Sequence, residues 1–224
     1  MLASLAATVG LTSCLDDNDP IEYPDAGYIS IYNGAPNNNG VIVYADQNQV
    51  NDFSLDYSEV LPYKNFFPGD RTFKFSEPNS LTSLLEKEFE IKVDSVYSMF
   101  MLEDAGVLDA VLVDDDWSEP SAAEAQIRMI NLSPDAGSVS LIIDEAQTPL
   151  FSNVAFKSNT AFESLDNKVY TLKVISSTGE TLATATSIEL KENRVYTLVV
   201  RGYVVSPDNS KKLDLQLITN YIDF

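Results

Sequence analysis

The chain has 224 residues, with 34 acidic against 14 basic, no histidine and a single cysteine. A net charge of −20 argues against nucleic acid as a partner and against a peripheral grip on anionic lipid, because both need a basic face. Without histidine there is no Ser-His-Asp triad, no Cys-His dyad and no His-ligated zinc or iron; one cysteine permits neither an intrachain disulfide nor a thiolate cluster.

The chain opens with Met1-Leu-Ala-Ser-Leu-Ala-Ala-Thr-Val9, an apolar stretch too short to span a bilayer and similar to the hydrophobic part of a secretion signal. Leu11-Thr-Ser-Cys14 follows and resembles the bacterial lipobox, in which the cysteine is lipidated and becomes the new N-terminus. The expectation is a signal peptide over 1–13 and a lipid anchor on Cys14, the membrane being reached through that anchor. Residues 14–24 then form a short tether. Its acidic run, Asp16-Asp17-Asn18-Asp19, resembles a tag for export to the outer face of the outer membrane in Gram-negative bacteria.

The remainder repeats. Tyr28-Ile-Ser-Ile-Tyr-Asn-Gly-Ala-Pro36 aligns with Gln126-Ile-Arg-Met-Ile-Asn-Leu-Ser-Pro134 at an offset of 98, and Phe53 aligns with Phe151. Val96-Tyr-Ser-Met-Phe100 aligns with Val195-Tyr-Thr-Leu-Val199 at an offset of 99. The order of the blocks is kept, which implies two homologous domains over 25–119 and 122–224. Charge divides unevenly between them. Residues 21–120 hold 19 acids and 5 bases, net −14, and residues 121–224 are net −3. In a stalk, the acidic copy stands nearer the membrane and the more neutral copy is free to meet a partner.

Each unit reads as β. Lys168–Ser176 alternates polar and apolar residues, and Ser177-Thr-Gly-Glu180 is a hairpin turn. Arg194–Gly202 is almost continuously apolar, as a central strand is. Leu81–Glu88 has some helical periodicity, but its counterpart Thr181–Leu190 is a strand, so it too reads as a strand. The expected fold class is all-β: two tandem immunoglobulin-like β-sandwich domains of about seven strands each.

Residues 126–220 resemble the bacterial family called domain of unknown function 4397. The resemblance rests on Ile127-Arg-Met-Ile-Asn-Leu-Ser-Pro-Asp-Ala136, Val139–Asp144, Phe151–Phe156, Tyr170–Val174 and Val195–Val199. It implies secreted or lipid-anchored β-sandwich modules, often in tandem. It transfers no catalytic residue.

Three constellations stand out. Asp114-Asp115-Asp116 could hold a hard cation, but it lacks the alternating spacing of a calcium loop and reads as a solvated linker. Asp46 and Asp144 recur at a strand end and read as turn-capping carboxylates. The aromatics Tyr57, Tyr63, Phe66, Phe67 and Trp117 are the candidate ligand contacts, weighed against a buried cap over the core. No metal, cofactor or catalytic set is identified. The expectation is a non-enzymatic, surface-exposed outer-membrane lipoprotein that acts as a binding or spacer module for a protein or glycan. The alternatives are a glycan-binding accessory of polysaccharide uptake and a pilus or adhesin anchor subunit.

Overall fold

The structure, a computed structural model, describes residues 24–80, 82–119 and 121–222. The signal segment, Cys14 and all of the tether except Pro24 lie outside the described residues.

Among the described residues there are sixteen strands, eight in each half. The first half holds β1 (Gly27–Asn33), β2 (Ile42–Ala45), β3 (Asn48–Gln49), β4 (Val60–Phe66), β5 (Gly69–Ser76), β6 (Ser83–Ile91), β7 (Val96–Asp104) and β8 (Val107–Asp114). The second holds β9 (Glu124–Asn131), β10 (Val139–Ile143), β11 (Phe151–Val154), β12 (Glu163–Asp166), β13 (Val169–Ser176), β14 (Thr181–Glu189), β15 (Arg194–Arg201) and β16 (Asp214–Ile222). The segment with mixed periodicity at 81–88 falls mainly in β6, a strand as its counterpart β14 is.

Each half is a sandwich of two four-stranded sheets. The orders are β4-β1-β7-β8 and β3-β2-β5-β6 in the first half, and β12-β9-β15-β16 and β11-β10-β13-β14 in the second. Adding eight to each label of the first half gives the second. Two details go beyond the expected sandwich. There are eight strands rather than about seven, and the opening strand pairs in parallel with the seventh (β1 with β7, β9 with β15) rather than joining the second.

The repeated residues hold the same local structure in both halves. Asn33 and Asn131 end β1 and β9 and are fully buried. The Asn131 amide donates to Gly137 O at 2.9 Å and Val154 O at 3.1 Å, while its Oδ1 accepts from Ser133 N at 3.1 Å. Asn33 likewise donates to Leu55 O and accepts from Ala35 N. Each amide therefore satisfies backbone groups that the chain strands as it leaves the sheet. The Tyr97 and Tyr196 hydroxyls accept from Lys92 N and Lys191 N, five residues upstream, and tie the preceding turn to the following strand in the manner of a tyrosine corner.

Each sandwich has its own apolar core. Ile29, Val43, Phe73, Phe75 and Met99 fill the first, and Ile127, Leu141, Leu172, Val174 and Leu198 fill the second. Yet β1, β7, β9 and β15 are buried along nearly their whole length, on both faces. Their second faces meet each other. The sheet β4-β1-β7-β8 packs against β12-β9-β15-β16, so the molecule is four β-layers deep. The two domains meet face to face through these sheets.

Replacing Asn131 with Ala strands two carbonyls and an amide in the core. Urea unfolding is expected to show a loss of about 3 kcal/mol, with the m-value unchanged.

Candidate functional site

The best-organised cluster of polar side chains lies between the two inner sheets. It is built on Arg128, in the middle of β9 within an otherwise apolar run. Arg128 and Asp115, the first residue after β8, form an ion pair whose side chains are 1% and 0% exposed. Nε of Arg128 donates to Thr197 Oγ1 on β15 at 2.9 Å. Its Nη1 donates to the Asp114 carbonyl, and its Nη2 to Ser98 Oγ on β7, both at 3.0 Å. Ser98 in turn donates to Asp115 Oδ2 at 2.8 Å. The Tyr63 hydroxyl, from β4, donates to the same carboxylate oxygen. Asn220 on β16 closes the network. Its Oδ1 accepts from Thr197, and its Nδ2 donates to Tyr63 and Ser98.

Every charge in this cluster is met by an opposite charge or a donor, as burial in a low dielectric requires. Burial and the neighbouring carboxylate push the Tyr63 hydroxyl well above the ordinary phenol range, so it stays a donor at physiological pH. The expectation that Asp114-Asp115-Asp116 is a solvated linker is therefore corrected at its centre: Asp114 and Asp116 are exposed and Asp115 is buried. Among the described residues no group of three or more Cys, Asp or Glu could hold a metal.

Aromatic rings seal one end of the network. Trp117 stacks on Tyr221 with centroids 5.8 Å apart and meets Phe162 and Tyr63 edge-on. Phe162 also lies beneath the Arg128 guanidinium at 4.6 Å. At the other end the seam is apolar: Tyr32, Phe100, Leu102 and Val113 pack against Ile130, Leu132, Val199 and Ile218. Burying each large apolar side chain contributes roughly 1.5–3 kcal/mol. Gly34 lets the halves approach here, since a Cβ on it would fall 2.8 Å from Leu132 Cδ1. Beyond lies a polar rim. Tyr32 donates to Gln216 at 2.8 Å, Arg201 bonds Ser58 and covers the Tyr57 ring, and Lys157 reaches across to Asp109 at 3.0 Å.

The five candidate aromatics thus have three different placements. Tyr57, Tyr63 and Trp117 are half-buried at the seam. Phe66 packs against the first core, in contact with Phe73. Phe67 is 66% exposed. Asp46 and Asp144 occupy equivalent turns with positive φ (54° and 52°), and each accepts from a backbone amide across the hairpin, Thr72 N and Thr171 N, at 3.0 Å. That amide bond, aided by Lys168, holds the Asp144 carboxyl below the ordinary range. Arg128 and Asp115 were missed as a pair. The one available signal was a lone arginine inside an apolar strand.

The fold and this seam define a class: an all-β protein of two sandwiches joined by a desolvated interface. The chain belongs to the family described as a domain of unknown function, 4397, which matches residues 27–142. The matched span covers the first sandwich and runs on through β9 into β10; of the second-half segments on which the resemblance rests it includes Ile127–Ala136 and part of Val139–Asp144, while Phe151–Phe156, Tyr170–Val174 and Val195–Val199 lie outside it. No curated protein matches the chain. Among solved structures, a protein of the domain-of-unknown-function 3823 family from Bacteroides ovatus is 10% identical, covering 75% of this chain and 99% of that one, with a TM-score of 0.21. A leucine-rich repeat protein from Bacteroides thetaiotaomicron is 12% identical, covering 77% of this chain and 25% of that one, with a TM-score of 0.20. At these TM-scores neither likeness carries an argument.

Two outcomes test the seam. Asp115→Asn leaves the buried Arg128 charge unpaired and is expected to cost about 3–5 kcal/mol in urea unfolding, whereas Asp115→Leu combined with Arg128→Met recovers most of that loss. Asp109 supplies a pH dependence. Burial by itself raises its carboxyl, but hydrogen bonds from Lys87 and Lys157 outweigh burial and bring it to about 2, against an ordinary value of 3.8. Its folded value is depressed, so its contribution is complete above the ordinary value and disappears as pH falls toward 2. Acid titration of stability is expected to show a slope in that window that is shallower in Asp109→Asn.

Proposed function

We propose that the protein is a non-enzymatic, lipid-anchored module of the bacterial cell envelope, in which two copies of the family's sandwich act as one rigid binding or spacer block. A tether from Cys14 holds it at the outer membrane, on the outside of the cell. The observation that carries this reading is the filled seam. Where two domains of an enzyme commonly leave a cleft for substrate, this chain places a paired guanidinium, a stack of aromatic rings and an apolar cluster. Its best-organised polar groups are spent on fixing one domain against the other, which suits a part that must present a surface in a set geometry. The repeated strand order, together with matching Asn, Asp and Tyr roles, supports reading the second half as a second copy of the family.

The lipobox-like Leu11-Thr-Ser-Cys14 supports the anchor, and the acidic residues after it support the outer face. A net −14 over residues 21–120 keeps the block solvated and away from an anionic leaflet. The strand-donating pilus alternative gains no support from the strand order, because among the described residues each sandwich has eight strands and neither lacks a counterpart of the other's.

The full-length chain is expected to sediment with outer membranes and to be cleaved by protease added to intact cells, while Cys14→Ala leaves the protein soluble. Membrane retention of Cys14→Ala, or a wild-type protein found in the soluble fraction, refutes the anchor.

A further inference from the structure

The first sandwich has an open edge beside the seam, which takes only Tyr63 and Val60 from it. There β3 and β4 are the outer strands of its two sheets. Two clefts follow one another along this edge. One, of about 390 Å³, is lined by Asn48, Gln49, Lys64, Asn65, Phe67 and Arg71 among others. The next, of about 410 Å³, includes Phe53, Leu61 and again Lys64 in its lining. The shared lysine joins them into a groove along β4, whose seven residues span roughly 20 Å.

Phe53 and Phe67 are 85% and 66% exposed, and no other phenylalanine among the described residues is as open to solvent. Single exposed apolar residues need no explanation, but two on one groove are not a random scatter. Phe151, which aligns with Phe53 in the sequence, is 6% exposed and sits in the second core. The backbone bonds of Val50 to Val43 and of Leu150 to Leu141 are equivalent, so Phe53 lies further along the connection than Phe151, in a stretch one residue longer in the first half. Both exposed rings stand on fixed backbone. Asn51, itself buried, donates to the Phe53 carbonyl at 2.6 Å. Arg71 donates to the Phe67 carbonyl at 2.9 Å and to that of Pro68 at 2.7 Å, and is itself held by Asp46 at 3.2 Å. A platform fixed before binding loses little entropy when a ligand arrives.

The cleft beside Phe67 is polar. Asn48, Gln49 and Asn65 offer amides, which both donate and accept, and Lys64 and Arg71 offset Asp25 and Asp46 in the first cleft. Two separated rings, one of them flanked by amides, suit a ligand that alternates apolar faces with hydroxyls. They suit a protein partner less well, because protein contacts cluster their anchors in one desolvated patch. The surrounding charge of −14 disfavours an anionic polymer.

We propose that this edge binds an extended, uncharged oligosaccharide, with sugar faces stacked on Phe53 and Phe67 and hydroxyls met by Asn48, Gln49 and Asn65. The proposal deepens the reading of the protein as a binding module by naming a ligand class and a site.

The test is affinity electrophoresis of the soluble Cys14→Ala protein in gels containing an α-glucan, a β-glucan, a mannan, a xylan or, as the anionic comparison, polygalacturonate. At least one neutral polysaccharide is expected to retard the protein, and polygalacturonate is not. Phe67→Ala and Phe53→Ala should each weaken that retention by about fivefold or more. Val205→Ala, at an exposed residue far from the groove in sequence, should leave it unchanged. Both rings are exposed, so an unchanged urea midpoint will show that the variants fold. Absence of retardation by all four neutral polymers, retardation by polygalacturonate alone, or full retention in both phenylalanine variants overturns the proposal. The anchor is tested by location in cells, so failure here leaves that result standing, and failure there leaves this one.

Discussion

A guanidinium buried in a β-strand must be neutralised where it lies, and Arg128 sets the terms for the whole molecule. Its own sandwich provides Thr197 and the face of Phe162 but no carboxylate. The counter-charge comes from Asp115, at the end of the first sandwich. The second domain can bury its inner sheet only by docking on the first, and the connection between them is consequently short and pinned. Gln126 bonds both the amide and the carbonyl of Ser118 within that connection. A buried ion pair is a weak source of net stability, since desolvation offsets most of its Coulomb energy. What it supplies is register: a shifted docking leaves a charge unpaired, and that is costly.

The seam also shows how a duplicated fold can bind itself. Ser30 and Arg128 are counterparts in the repeat, as are Ser98 and Thr197, Tyr32 and Ile130, Phe100 and Val199, and Gly34 and Leu132. The same face of each sandwich meets the other, as in an isologous dimer, but the side chains have diverged to be complementary. A large residue in one half meets a small one in the other, and Gly34 yields to its own counterpart Leu132. The outer edges have diverged differently. The connection after Val50 is one residue longer than the one after Leu150 and carries the exposed Phe53, so the first half holds a feature the second does not.

Much of the fold was legible in the sequence because its signals are local. The alternation in Lys168–Ser176, the turn clusters and the recurring Asn, Pro and Asp all report on neighbouring backbone, and the sandwich follows from them. The repeat rescued 81–88, where periodicity alone was ambiguous. Legibility ended where the physics became non-local. Three consecutive aspartates look alike until a partner from another domain selects one, and Asp115 was selected by a residue thirteen positions away across the seam. The apolar continuity of Arg194–Gly202 indicated a central strand, but it also meant burial on a second face. That second meaning is what joins the two sandwiches into one block. Among the aromatics, composition could not separate Trp117, locked against Tyr221, from Phe67, left in solvent, because each side chain's fate depends on which sheet lies opposite.

The central claim is that the two sandwiches are one thermodynamic unit. Scanning calorimetry of the wild-type chain tests it most directly. A single transition is expected, with a calorimetric enthalpy equal to its van't Hoff enthalpy. Two resolved transitions, or a calorimetric enthalpy about twice the van't Hoff value, would mean that the domains unfold independently and would contradict it.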